Sequence, residues 1–181
     1  GEDPMETVDE EIRTVTKDDT LNIPLAETGG AALHYVKTAE EEPVWDTNAL
    51  YSILSSLKDA GIEVNSNNTS PGAIVDLWWN FAGDSLFWRL IPDANQEYYR
   101  IQPGSTTVTV LMPIDSAAVE GTELTVGNID DADDSQWWKI VEAEDGTYRI
   151  LNKKAELAGT PLYIATDSDS TTDGAPIVLA D

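Results

Sequence analysis

The chain has 181 residues, of which 41% are apolar, so it is long enough for one domain with its own hydrophobic core. Its 10 basic and 34 acidic residues give a formal net charge of −24, which argues against binding to nucleic acid or to anionic membrane surfaces. The absence of cysteine excludes disulfides and thiolate chemistry, and the single histidine, His34, excludes metal sites built on several histidines.

Residues 1–30 begin with an acidic stretch that few apolar side chains interrupt, which predicts a flexible leader or tether. The stretch resembles the leaders that follow the lipid-bearing cysteine of Bacteroides-group surface lipoproteins. That resemblance implies an extracellular or cell-surface bacterial protein, lipid-anchored through a residue upstream of Gly1. No stretch of about 18 apolar residues occurs, so we expect no membrane insertion of the folded domain.

Beyond the leader, sequence elements recur at intervals of about 50 residues, which indicates an internal repeat. A Tyr-x-Ile triplet begins at Tyr51, Tyr99 and Tyr148. Residues 87–91 (FWRLI) match residues 137–141 (WWKIV). The order of these elements along the chain is the same each time, so each copy is one structural unit.

A third recurring element is a glycine followed by alternating apolar residues, beginning at Gly72, Gly121 and Gly174. Alternation with period two predicts a strand with one face in the core. The predicted inward positions are Val75, Leu77, Leu124, Val126, Ile177 and Leu179.

Each repeat has room for about four short strands separated by turn residues. The repeats cover residues 51–98, 99–147, and 148–181 completed by 31–50. The last repeat ends before its tryptophan-containing strand, and residues 31–36 (AALHYV) have the register of that strand, with Leu33 in the place of Trp88. We therefore expect an N-terminal strand to close an all-β domain that covers residues 31–181.

The repeated stretches resemble those of ricin-B-type β-trefoil lectin domains. The resemblance lies in residues 136–140 (QWWKI), 146–152 (GTYRILN) and 173–179 (DGAPIVL), the first of which matches the family's Gln-x-Trp repeat signature. The first repeat departs from that signature at Leu86. The resemblance implies a β-trefoil, a six-stranded barrel capped by three hairpins. It also implies binding of galactosides or other glycans in shallow pockets, at most one per repeat.

In that family a pocket uses an acidic residue in the second strand, which accepts hydrogen bonds from sugar hydroxyls, and an aromatic ring that stacks on the sugar. The first repeat matches this pattern with Glu63 at the acidic position and Trp78 at the stacking position. Asp76 lies at a polar contact position two residues before the ring. Ser85 and the neighbouring Asp84 supply the polar residues that precede the signature. These five residues are the predicted carbohydrate-binding site.

The other two repeats lack both features. The acidic and stacking positions are Met112 and Gly127 in the second repeat, and Ala165 and Ala180 in the third. We therefore expect one degenerate site per chain.

The tryptophans have a structural interpretation as well. Four are expected to pack in the core or at the bottom of the barrel: Trp79, Trp88, Trp137 and Trp138. Trp78 either contacts a ligand or lies partly buried beneath the loop over residues 37–50. Glu63 is either a ligand contact or an ordinary exposed strand residue.

The sequence thus predicts a non-catalytic, lectin-like module that binds a glycan or polysaccharide, as a monomer and without a metal or cofactor. The acidic loops over residues 130–134 and 167–174 lack the spacing of a calcium loop and are interpreted as solvated turns. The alternative is a protein-interaction or structural β-trefoil without sugar binding. An enzyme would need a pair of carboxylates facing each other across a cleft, and no such pair is identifiable.

Overall fold

Ten strands and one short helix make up the described part of the chain, residues 45–79 and 83–181 of a computed structural model. The strands are β1 (Ala60–Val64), β2 (Ala73–Trp79), β3 (Trp88–Pro92), β4 (Tyr99–Pro103), β5 (Thr109–Pro113), β6 (Leu124–Asn128), β7 (Trp138–Glu142), β8 (Tyr148–Asn152), β9 (Tyr163–Thr166) and β10 (Ala175–Ala180). Helix α1 (Lys153–Leu157) lies between β8 and β9. Within these two ranges no helix is long and apolar enough to cross a membrane.

All strand pairs are antiparallel, and the pairing follows the repeats. The order along the sheet is β3-β4-β7-β8-β9-β10-β2-β6-β5, with β1 also paired to β2. The hairpins β1–β2, β5–β6 and β9–β10 occupy equivalent places, while β3–β4 and β7–β8 join one repeat to the next. The first strand of the first repeat is reduced to two isolated bridges, Tyr51 with Trp88 and Leu54 with Gly61.

Two sequence predictions fall outside the described residues: the closing strand at residues 31–36 and the acidic leader at residues 1–30. The nearest described residue is Trp45. Its ring packs edge to face on Tyr51 and Tyr148, with centroid distances of 5.5 and 5.3 Å. The segment just before the first repeat therefore contacts the start of the third repeat.

Three equivalent hydrogen bonds join the repeats in a closed cycle. In each, the amide of a turn glycine donates to a carbonyl oxygen in the inner strand of another repeat. The bonds are Gly72 to Val126 (2.8 Å), Gly121 to Leu179 (2.7 Å) and Gly174 to Leu77 (2.7 Å). The three glycines have φ values of +86°, +79° and +82°, a conformation that residues with a Cβ rarely adopt.

The core confirms the predicted inward positions and the β-trefoil fold. All six predicted side chains are buried, with at most 2% exposure: Val75, Leu77, Leu124, Val126, Ile177 and Leu179. Trp88 and Trp138 are also fully buried, as predicted. Their indole Nε1 atoms donate equivalent hydrogen bonds, to the Ile62 carbonyl oxygen at 2.9 Å and the Leu111 carbonyl oxygen at 3.1 Å. The polar atom of each buried indole is therefore satisfied.

The same turn follows the second strand of each repeat. In each turn two consecutive non-glycine residues have φ between +53° and +56°: Ser66 and Asn67, Asp115 and Ser116, and Ser168 and Asp169. Since the turn recurs in all three repeats, this backbone conformation belongs to the fold and not to one site. In the first repeat it directs the segment Asn65–Asn67 beside the end of β1.

The glycine cycle generates a testable prediction. A Cβ added at Gly121 would have nothing within 4 Å, so Gly121→Ala tests backbone strain without a steric clash. We expect the free energy of unfolding to fall by about 1–2 kcal/mol, the usual cost of the left-handed region for a residue with a Cβ. Urea denaturation measures it. The neighbouring exposed residue gives the control, Glu120→Ala, for which a loss as large as that of Gly121→Ala would contradict the assignment.

Candidate functional site

Four segments of the first repeat enclose an open pocket of about 480 Å³. They are the end of β1, the turn Asn65–Asn67, the end of β2 and the turn Asp84–Leu86. The lining side chains are Glu63, Asn65, Ser66, Asn67, Trp78, Asp84 and Ser85. Four of the five residues predicted from the sequence are thus brought together, and Asp76 lies next to them.

Glu63 forms the polar wall of the pocket. It is 6% exposed, so it is not the ordinary exposed strand residue that one interpretation of the sequence expected. The Ser85 hydroxyl donates to Glu63 Oε2 at 2.7 Å. This hydrogen bond fixes one carboxylate oxygen and joins β1 to the turn before β3.

Asp76 lies directly opposite Glu63 in the β1–β2 pair and is 4% exposed. The Asn65 side-chain amide donates to Asp76 Oδ2 at 2.8 Å. Asp76 Oδ1 is buried and has no hydrogen-bond partner in the described part of the chain. The sequence predicted a polar ligand contact here. The structure instead places the carboxylate behind Asn65, where it can act on the pocket through Asn65 and through the charge of Glu63.

The two carboxyls share an environment that disfavours their charged forms. Burial raises the pKa of Glu63, and the negative charge of Asp76 raises it further, while the hydrogen bond from Ser85 opposes these effects. Burial also raises the pKa of Asp76, against the hydrogen bond from Asn65. Like charges directly opposite each other on paired strands repel. The pair therefore retains protons to a higher pH than isolated carboxyls do.

Trp78 supplies the aromatic wall. It lies on the same face of β2 as Asp76, opposite the buried side chains of Val75 and Leu77, and it is half-buried. Asp84 is exposed at the edge of the pocket. The pocket therefore combines an accessible indole with a buried, oriented carboxylate and an exposed one.

Trp79 corrects one sequence prediction. Alternation with Leu77 predicted a core position, but Trp79 is 52% exposed. It is the last residue of β2, paired with Ala60 at the start of β1, so it lies past the part of the strand that the barrel covers. Trp137 is also not fully buried: it is half-buried, with the guanidinium of Arg100 4.3 Å from its ring centroid.

Leu86 occupies the glutamine position of the repeat signature. It is 1% exposed and packs over Gly61, where an added Cβ would come within 2.9 Å of it. The equivalent Gln136 accepts from the Asp130 amide at 2.9 Å and donates to the Asn128 carbonyl oxygen at 2.8 Å. Its Nε2 also donates to Sδ of Met112, the residue at the acidic position of the second repeat, at 3.5 Å. The change to leucine in the first repeat thus removes a polar group that, in the second repeat, holds a loop and contacts the acidic position.

The equivalent places in the other repeats are filled or apolar. In the second repeat, an added Cβ on Gly127 would lie 2.2 Å from Met112 Sδ, so the methionine covers this position. In the third repeat the equivalents are alanines, and β9–β10 pairing puts Ala180 opposite Tyr163. The Arg149 guanidinium lies 3.9 Å from the centroid of that tyrosine ring.

Sequence analysis missed three lining residues, Asn65, Ser66 and Asn67. They follow Glu63 by two to four residues, directly after its strand ends, and the run of asparagines after a strand was the available signal. Their role depends on the left-handed turn, which brings them back beside the strand end. The Asn67 side-chain oxygen accepts from the Ser105 hydroxyl at 2.9 Å, which leaves its amide NH₂ for other partners.

A second cavity and the acidic side chains do not provide an alternative site. A larger cavity of about 660 Å³ reaches core residues such as Leu77, Leu90 and Ile101, and exposed residues such as Leu54 and Leu57 line its outer part. The described residues that line it do not pair an accessible indole with a buried carboxylate. Within residues 45–79 and 83–181, no group of three or more His, Cys, Asp or Glu side chains could hold a metal ion. The polar pocket beside Trp78 is therefore the candidate site.

The raised pKa of Glu63 predicts a pH-dependent effect on stability. At pH values just above 4.5, the folded protein retains a proton that the unfolded chain has released, so this residue lowers the free energy of unfolding as pH rises. Glu63→Gln removes this dependence. We expect the variant to become more stable relative to the wild type as pH rises from 4 to 7, measured by denaturant unfolding. Glu144→Gln, an exposed control, should show no such gain.

The family model of ricin-type beta-trefoil lectin domain-like proteins matches residues 88–180, just over half of the chain. The match begins at β3, so it covers the second and third repeats and not the segments that form the pocket. Among curated proteins, no sequence matches the chain at a significant level.

Solved structures with the same fold include three informative examples. The designed threefold-symmetric protein ThreeFoil has a TM-score of 0.65 at 22% identity, covering 73% of this chain and 89% of its own. The C-half of the earthworm R-type lectin, in complex with GalNAc, has a TM-score of 0.52 at 15% identity, covering 73% and 88%. An exo-beta-1,3-galactanase from Clostridium thermocellum has a TM-score of 0.64 at 22% identity, covering 76% of this chain but only 28% of the enzyme.

The threefold repeats, the ten-stranded trefoil and the matched segment thus lead to one conclusion: this chain belongs to the ricin-type β-trefoil lectin domain-like family.

Proposed function

We propose that the chain is a non-catalytic carbohydrate-binding module with a single site, the pocket beside Trp78. The observation that carries the proposal is the pairing of a half-buried, outward-facing indole with a buried carboxylate, Glu63, that Ser85 holds in place. Family membership supports it, as does the fold shared with a lectin whose structure contains GalNAc.

Binding would use two complementary interactions. The apolar face of a sugar ring stacks on Trp78, because an aromatic face matches a patch of C–H groups. Sugar hydroxyls donate to Glu63 and Asp84, and hydrogen bonds to an ionised acceptor are stronger than neutral ones. The Asn67 amide can donate to a sugar oxygen. Since the pocket is open, we expect an affinity on the order of millimolar unless several chains bind together.

The arrangement of the carboxylates supports a binding role over catalysis. Glycosidases place two carboxyl groups on either side of the scissile bond. Glu63 and Asp76 lie side by side on neighbouring strands, and Asp76 is behind Asn65. Of the two, only Glu63 lines the pocket, so the pair does not face each other across a substrate.

A structural or protein-interaction role is the second candidate. It is favoured by the second and third repeats, where Met112 covers Gly127 and alanines occupy both the acidic and the stacking position. Under this alternative the chain binds no glycan, whether or not Trp78 is present.

We also propose that the module acts as a monomer outside the cell or at a bacterial cell surface. An acidic leader of residues 1–30 and a composition without cysteine support this location. A bacterial cell-surface fraction probed with antibody against the chain tests it, and retention in the cytosol would contradict it.

Adjacent tryptophans provide a matched test of the site. Trp78 lines the pocket, whereas Trp79 is exposed on the other face of β2. On a glycan array, followed by titration of the strongest ligand, we expect Trp78→Ala to weaken binding at least tenfold, corresponding to about 1.4 kcal/mol of lost stacking. Trp79→Ala should bind as the wild type does.

Unfolding curves establish that both variants keep the fold. If the wild type binds no glycan, or if the two variants lose affinity equally, the pocket is not the site and the scaffold alternative is favoured. Release of product from a panel of chromogenic glycosides would contradict the non-catalytic role.

A further inference from the structure

We infer that the pocket selects its sugar by charge: it prefers a sugar bearing a free amine to the matching neutral sugar, and it rejects the matching uronic acid. This inference rests on the proposed function, since it specifies the class of glycan that the Trp78 site accepts. It concerns the chemistry of the pocket and not the stereochemistry of the ring.

Among residues 45–79 and 83–181, the side chains that line the pocket offer acceptors and negative charge. Glu63 and Asp84 both line it, and no lysine, arginine or histidine of this part of the chain does. Glu63 Oε2 and Asp76 Oδ2 each accept one hydrogen bond, from the neutral donors of Ser85 and Asn65. Hydrogen bonds from neutral groups leave the negative charge of the acid pair in place.

Ion pairs in the described residues lie elsewhere. Four basic residues are paired with carboxylates outside the pocket: Lys58 with Asp173, Arg100 with Asp131, Lys139 with Glu97, and Lys153 with Asp134. Neither Glu63 nor Asp76 takes part in any of these pairs. Buried carboxylates in proteins are ordinarily paired or fully hydrogen-bonded.

The unpartnered oxygen of Asp76 is a second, independent sign that positive charge is lacking beside the acid pair. Asp76 is 96% buried, and its Oδ1 has no donor among the described residues. It lies opposite Glu63, the residue that reaches the pocket. A positive charge placed against Glu63 would offset the repulsion within the pair, which a neutral hydroxyl cannot do.

A sugar ammonium group has the matching chemistry. It supplies a positive charge and three N–H donors on a ring that still presents an apolar face to Trp78. A uronic acid presents the same face but adds a carboxylate beside Glu63 and Asp84, where like charges repel. Selection by charge therefore requires no change in how the ring stacks.

The test compares three sugars of one stereochemistry, in the galacto series and again in the gluco series: the methyl glycosides of the 2-amino sugar, the neutral hexose and the uronic acid. Titrations followed by NMR in buffer with a chelator at pH 6.5 give each dissociation constant. We expect the amine to bind about tenfold more tightly than the neutral sugar, and the uronic acid about tenfold more weakly.

Two charge-removing variants identify the source of the preference. Glu63→Gln should reduce the amine-to-neutral affinity ratio to less than about threefold. Glu144→Gln makes the same change at an exposed residue outside the pocket and should keep the wild-type ratio. If the amine, the neutral sugar and the uronic acid all bind with equal affinity, the charge inference is overturned and the proposed function stands. Failure of every sugar to bind would overturn the proposed function with it.

Discussion

The fold depends on one interaction made three times, the hydrogen bond from a turn glycine to the inner strand of another repeat. Each repeat donates one of these bonds and accepts one, so the bonds from Gly72, Gly121 and Gly174 form a closed cycle. The strands that accept them carry the six inward-facing core residues. The cycle needs the left-handed glycine conformation at each turn. Once the inner face of β2 is fixed in this way, its period of two residues directs Asp76 and Trp78 outward. The pocket is thus the outer side of the same strand whose inner side forms the core.

Much of this architecture could be predicted from the sequence, because it is encoded in periodicity. The inward residues Val75 and Leu77 and the indole of Trp88 occupy the expected places, since alternation and a fixed repeat length are properties of the chain itself. The core position expected for Trp79 was wrong, and the burial of Asp76 was not expected, because neither follows from periodicity. The exposure of Trp79 depends on where the barrel stops covering β2, and the burial of Asp76 depends on Asn65 folding back over it. Both are tertiary effects that alternation cannot encode.

The residues that line the pocket also divide into those that the repeat pattern locates and those that only tertiary structure brings there. Glu63 and Trp78 could be located because they follow the repeat pattern, whereas Asn65 and Asn67 reach the pocket only through two left-handed residues in a turn. The signature position behaves differently in the first two repeats. Gln136 holds a loop through the Asp130 amide and the Asn128 carbonyl oxygen and also contacts Met112 at the acidic position, whereas Leu86 packs over Gly61.

Comparison of the three repeats within one chain separates what the fold requires from what it does not. The second and third repeats keep the glycine hydrogen bond and the buried inner strand with a methionine or an alanine where the first has Glu63. The fold therefore does not need a carboxylate at that position. The first repeat nonetheless buries two opposing carboxyls with raised pKa values, and no donor in the described ranges reaches Asp76 Oδ1, an arrangement that lowers stability at neutral pH. The scaffold does not need this destabilising carboxyl pair, and the pair lies beside an accessible indole. An unfavourable arrangement of this kind is typical of a site kept for binding.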